Sequence, residues 1–202
     1  MTTVDVTFPG FHPARLGAEG DLLRLIRRFG AAEPSGPTHA RLVDALSGEI
    51  AEALGLPALS RRTLRVGALL HDVGKAKVPP RILAKPGPLT AGEWRVIRRH
   101  PADGVRLLSP IVPDPAGLAI VYAHHERWDG GGYPSRLAGD AIPLGARIVA
   151  VADAFYAMTE ARPYRRPLAG AEALGELRAN AGLQFDPACV DAACFVLLPG
   201  HA

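Results

Sequence analysis

Residues 122–139 read YAHHERWDGGGYPSRLAG. The opening residues close an apolar run of helical length that starts near Pro115, and the run ends on two adjacent imidazoles, His124 and His125. Gly130, Gly131, Gly132 and the pair Tyr133-Pro134 follow, and glycine and proline are the poorest residues for continuing a helix. A helix therefore stops at the histidines, and a loop over 127–143 begins.

The same punctuation divides the rest of the chain into apolar-periodic pieces. From Thr38, a suitable N-cap, Leu42, Val43, Leu46, Ile50 and Leu54 mark one helical face. Ser60 opens a second helix through LRVGALLHDV, with Gly74 placed to end it. Thr90 and Glu93 have the spacing of a capping box for the helix AGEWRVIRR. Leu144 to Glu160 is the most apolar helix, and Asp186-Pro187 supplies an N-cap and first residue for the last one. Segments of alternating β-branched residues are absent, so the expected class is all-α. Residues 21–29 read as a short amphipathic helix and 31–37 as a linker. The expected organisation is a short N-terminal segment, 1–37, before one domain, 38–202.

A chain of 202 residues, 48% hydrophobic and 21% charged, suits one compact domain. No apolar run approaches membrane-spanning length, and MTTVDVTFPG lacks the pattern of a secretory signal. A cytoplasmic protein without membrane insertion is expected. The net charge of +3 is too mild to announce a DNA or RNA polymer as partner. Cys189 and Cys194 are five apart, which is neither metal-knuckle nor redox spacing, and they read as small buried hydrophobes.

Five histidines, His39, His71, His100, His124 and His125, lie at or near expected helix ends, where side chains can turn into a shared cavity. Asp72 follows His71 directly after an apolar stretch, and Asp153 is the only charge in IVAVADAF. A carboxylate there is costly to bury unless it is paired or holds a cation; a salt bridge to an arginine is the alternative. Adjacent helical residues point about 100° apart, so His124 and His125 suit two neighbouring ions better than one. Five imidazoles and two carboxylates exceed the needs of one ion, and this donor set favours Fe, Mn, Zn or Co over calcium. Two ions about 3.5–4 Å apart, bridged by a carboxylate and a hydroxide, would clamp and attack a phosphate ester.

HDVGK (71–75), HPADG (100–104), HHERWDGGGYP (124–134), IPLGARIVAVAD (142–153), RPYR (162–165) and QFDP (184–187) stand in the order and spacing of the HD-GYP domain. The chain thus resembles, over about 38–198, the branch of the HD phosphohydrolase superfamily that contains bacterial cyclic di-GMP phosphodiesterases. The resemblance implies an HD-superfamily helical bundle with additional C-terminal helices. It implies two divalent metal ions, Fe or Mn first, with Zn, Co or Ni as alternatives. It makes His39, His71, Asp72, His100, His124, His125 and Asp153 the metal ligands, with Asp72 bridging. Lys75 would reach a non-bridging phosphate oxygen and act with Asp72 in catalysis. Gly131, Gly132, Tyr133 and Pro134 would line the substrate groove, and Arg162 and Arg165 would hold phosphate or guanine.

Three positions depart from the family pattern. Ser35 replaces a glutamate that binds a third metal in some members, Tyr156 replaces the aspartate of FDA, and Arg136 stands where the loop usually has glycine. The function the resemblance implies is hydrolysis of cyclic di-GMP to linear pGpG and onward to GMP, through a metal-bridging hydroxide. Two alternatives stand beside it. One is a non-catalytic module that binds cyclic di-GMP or docks on a diguanylate cyclase or other regulatory protein. The other is the same centre acting on another cyclic dinucleotide or nucleotide. A homodimer is compatible with either.

Overall fold

The computed structural model describes residues 36–160 and 166–198. The expected helix at 21–29, Ser35, Arg162 and Arg165 lie outside the described residues. The described chain is all-α: α1 Gly36–Ala53, α2 Ala58–Leu70, α3 Pro80–Leu83, α4 Ala91–Ile97, α5 His100–Leu108, α6 Pro115–Ala123, α7 Leu144–Thr159, α8 Gly170–Ala179 and α9 Pro187–Leu197. Short 3-10 turns run over Val73–Lys77 and Gly139–Ala141.

Local chemistry explains three of the helix starts. Thr90 caps α4 through its side chain while the Glu93 carboxylate accepts from the Thr90 N–H, as the spacing predicts. Asp114 caps α6 and Asp186 caps α9, each with proline just inside the helix. Two expected boundaries move. The first helix starts at Gly36, so Thr38 lies inside its first turn, and the second starts at Ala58, before Ser60.

Gly74 does not end α2, which stops at Leu70. It sits in the 3-10 turn, and a Cβ there would lie 1.9 Å from the His100 carbonyl oxygen and 2.6 Å from the Gly104 nitrogen. Glycine is needed for close backbone approach, not for a left-handed cap.

The main core joins α1, α2, α6, α7, α8 and α9. Val43, Ile50, Ile148, Val151, Leu177 and Cys189 are all fully buried in it. Each large apolar side chain removed from water contributes roughly 1.5–3 kcal/mol. A second cluster, with Leu70, Val73, Leu108 and Val121, ties the 3-10 turn to α5 and α6. The cysteines are free and buried, as expected, and burial first of all pushes the Cys189 thiol up. No helix among the described residues is long and apolar enough to cross a membrane.

Arg147 ties the C-terminal helices to the loop. Its Nη1 donates to Asp186 (2.7 Å) and Asp140 (2.9 Å), its Nε donates to the Ile142 carbonyl, and its guanidinium lies over the Trp128 ring.

Candidate metal centre

Helix ends deliver the histidines, as their sequence positions imply. His39 lies in the first turn of α1, His71 caps α2, His100 opens α5 and His124 caps α6. All four are buried, and Asp153 reaches the same region from the middle of α7.

Three of the imidazoles are oriented in one way. Nδ1 of His71, His100 and His124 each lies 2.8 Å from a carbonyl three residues earlier: Ala68, Ile97 and Val121. A carbonyl can only accept, so Nδ1 carries the proton and each Nε2 lone pair is aimed inward. His39 follows the same rule with a carboxylate, its Nδ1 donating to Glu160 at 2.7 Å.

The inward atoms form two groups. Asp72, His100, His124 and His125 offer ligand atoms within 4.8 Å of one another, as do His39, His71 and Asp153. Asp72 links them, because its Oδ1 lies 3.1 Å from His100 Nε2 and its Oδ2 lies 3.2 Å from His71 Nε2. The sequence expectation gave His124 and His125 to different ions, whereas the donor atoms of both fall in one group. Their ring centroids lie 4.1 Å apart and both belong to the Asp72 group.

The donor set fits a cation. His71 Nε2 and Asp72 Oδ1 are buried with no hydrogen-bond partner. His100 Nε2 faces His124 Nε2 at 3.3 Å, so lone pair opposes lone pair wherever both rings are neutral. Such an arrangement is unfavourable until a positive charge sits between the atoms. Burial, then the charges of neighbouring imidazoles, pushes His125 down to about 4 and His124 well down, which keeps both neutral. For His71 burial opposes protonation, but the nearby negative charges of Asp72 and Asp153 outweigh it and raise the group to about 9. Asp72 is held well below the usual carboxylate range: burial works against this, and Lys75 and His71 override it.

The glycine loop is held against this centre. Glu126, buried, accepts from the N–H of Ser135 (2.6 Å) and Leu137 (3.1 Å). Gly132 packs so closely that a Cβ would lie 2.4 Å from the Arg127 nitrogen. The Tyr133 N–H donates to the His125 carbonyl, its ring lies 4.9 Å from the His125 ring, and the Tyr133-Pro134 bond is cis. Arg98 covers the Tyr133 ring at 5.3 Å. Lys75 Nζ is 2.5 Å from Asp72 Oδ2, so the aspartate's basic partner is a lysine.

The structure therefore brings together His39, His71, Asp72, His100, His124, His125 and Asp153, with Lys75 and Tyr133 beside them. Gly131 and Pro134 lie in the same loop, while Arg162 and Arg165 are outside the described residues. Tyr156 turns to the core and packs on Phe155. Glu126, Glu160 and Arg98 were not legible as site residues. The available signals were a glutamate directly after the histidine pair and another seven residues, two helical turns, beyond Asp153.

A family model described as an HD domain matches residues 26–189. The chain is 44% identical over 183 residues to the cyclic di-GMP phosphodiesterase response regulator RpfG of Xanthomonas campestris pv. campestris, covering 90% of this chain and 47% of that protein. It is 42% identical over 158 residues to a cyclic di-GMP phosphodiesterase of Thermotoga maritima, covering 76% and 42%. The chain thus spans about half the length of these relatives or less. The crystal structure of a cyclic GMP-AMP specific phosphodiesterase of Vibrio cholerae superposes with a TM-score of 0.63 at 20% identity. It covers 85% of this chain and 47% of that one, a likeness of fold.

Proposed function

The chain belongs to the HD domain family, and on that premise we propose that it is a metal-dependent phosphodiesterase opening cyclic di-GMP to linear pGpG, with GMP as a further product. The observation that carries the reading is the split of the Asp72 carboxylate, one oxygen toward each histidine group. The relatives named as cyclic di-GMP phosphodiesterases support the substrate class.

His39, His71 and Asp153 would hold one divalent ion, His100, His124 and His125 the other, and Asp72 both; Fe and Mn suit these donors. Bound, such a pair supplies Lewis acidity and a water activated for attack on phosphorus. The protein's own part is positional. The backbone carbonyls fix three imidazoles in the ligating tautomer, and burial keeps His124 and His125 neutral. Lys75 stands at the rim to stabilise charge on a phosphate oxygen. Tyr133, beside His125 and Arg98, would line the groove for part of the substrate, and Arg162 and Arg165 would add cations for phosphate or guanine. Its catalytic unit is 38–202, and its compartment the cytoplasm.

The test is hydrolysis of cyclic di-GMP by Mn- or Fe-loaded protein, with the metal counted by elemental analysis. Asp72→Ala is expected to lower turnover by at least about a thousandfold; full activity in that variant would overturn the mechanism. A second reading, the same centre cleaving a cyclic GMP-AMP, is favoured by relatives named for that substrate. A panel of cyclic dinucleotides separates the two. Tight binding with no product under any metal would instead favour a sensing or docking module, for instance on a diguanylate cyclase.

A further inference from the structure

We propose that the cavity beside His125 and Asp153 is a guanine-binding subsite, with Glu176 as the acceptor for the base. The inference rests on the phosphodiesterase reading and names the part of the substrate that selectivity acts on.

The cavity measures about 380 Å³ and is lined both by His125 and Asp153 and by Glu176, Asn180 and Gln184. That is the lower end of the roughly 300–1,000 Å³ range of ligand pockets, room for a base with its sugar and not for a whole cyclic dinucleotide. Space exists because α7 presents Ala150, Ala154 and Ala157 there. Tyr133, Lys75 and Arg98 do not line it, so the cavity is distinct from the Tyr133 face.

Its polar groups are mostly committed. Glu126 is taken by the Ser135 and Leu137 N–H groups. Arg127 is taken by Asp129 and by Gln184 Oε1. Asn180 Nδ2 donates to the Glu176 carbonyl. Among the described residues of the wall facing Asp153, the Glu176 carboxylate, the Asn180 Oδ1 and the Gln184 Nε2 remain for a ligand, and of these Glu176 alone carries charge.

A phosphate on that wall would be repelled by the carboxylate of Glu176, which belongs to neither ligand group. A neutral group carrying adjacent donors would be attracted. Guanine has N1–H next to its exocyclic amine, a fork that matches one carboxylate, while its O6 can accept from Gln184 Nε2. Adenine places a lone pair at N1, which would face the carboxylate oxygen and be rejected. With phosphorus at the histidine groups, the base attached nearby falls within reach of this wall.

The experiment compares wild type with Glu176→Ala and Glu176→Gln, since Glu176 is exposed on α8 while Leu174 and Leu177 anchor the helix. Circular dichroism and metal content check that the variants fold. Calorimetry on Mn-loaded protein measures GMP against AMP, and kcat/KM is measured for cyclic di-GMP against cyclic di-AMP. We expect wild type to prefer GMP by about tenfold or more, and Glu176→Ala to lose about that factor for guanine ligands and little for adenine ones. Equal affinity for GMP and AMP in wild type, or an unchanged preference in Glu176→Ala, overturns the subsite. A wild type that cleaves no cyclic dinucleotide yet keeps a Glu176-dependent preference for GMP overturns the phosphodiesterase reading and leaves the subsite standing. Cleavage with no effect of Glu176 does the reverse.

Discussion

Glu160 holds His39 from behind: its Oε2 accepts from His39 Nδ1 at 2.7 Å, while the opposite ring nitrogen faces Asp153 Oδ1 at 3.1 Å. A carboxylate in that position fixes the tautomer and raises ligand basicity. Glu160→Ala is expected to weaken Mn binding by about 10–100-fold, measured against a competing chelator, with Glu160→Gln recovering part of it because the amide oxygen still accepts. Unchanged affinity in both variants would show that Glu160 is only a neighbour.

Glu126 should organise the glycine loop more than the metal. Removing its carboxylate leaves the Ser135 and Leu137 N–H groups without their acceptor, a cost of about 1–3 kcal/mol for each group that stays buried. Glu126→Ala is expected to speed amide exchange at those two residues far more than in α1 or α7. Uniform exchange across the protein would contradict a local role.

Arg136 adopts φ 56°, the left-handed region, where a side chain costs roughly 1–2 kcal/mol. Its place in a position that usually holds glycine is thereby a strain and not only an added charge. Arg136→Gly is expected to raise stability by about 1 kcal/mol in urea titration, allowing for glycine's greater unfolded-state entropy. A loss of stability would mean that the arginine makes a compensating contact.

Gly74→Ala forces a methyl against the His100 carbonyl and the Gly104 nitrogen, both backbone and unable to swing aside. A loss above about 3 kcal/mol is expected, with weakened metal binding because His100 must shift. Wild-type melting in this variant would refute the close approach of the 3-10 turn to α5.

The acid behaviour of α4 follows from Glu93, which Lys85 (2.6 Å) and then the Thr90 N–H pull down to about 2 from an ordinary 4.5. A depressed carboxylate contributes stability above its unfolded pKa and loses it as pH falls toward the folded value. Wild type should therefore lose local stability between about pH 5 and pH 2, and Glu93→Gln should show a flatter profile there, followed by exchange of α4 amides. Because the pair is partly open to solvent, the effect should shrink in high salt.

The sequence by itself determined the helical class, the capping at Thr90 and Asp186, and the identity of the seven clustered histidine and aspartate residues. Those features are local: a cap depends on residues three apart, and a histidine beside a glycine or proline break lies at a helix end whatever surrounds it. Tertiary structure alone decided how the ligand atoms divide. It put His124 and His125 in one group, spread Asp72 across both, and brought Glu160 to His39 over 121 positions of chain. It also showed Gly74 as a contact and not a cap, and opened the cavity at Glu176. Convergence of that kind depends on the angles at which helices pack. Those angles are set by the whole core at once, so no single stretch of sequence records them.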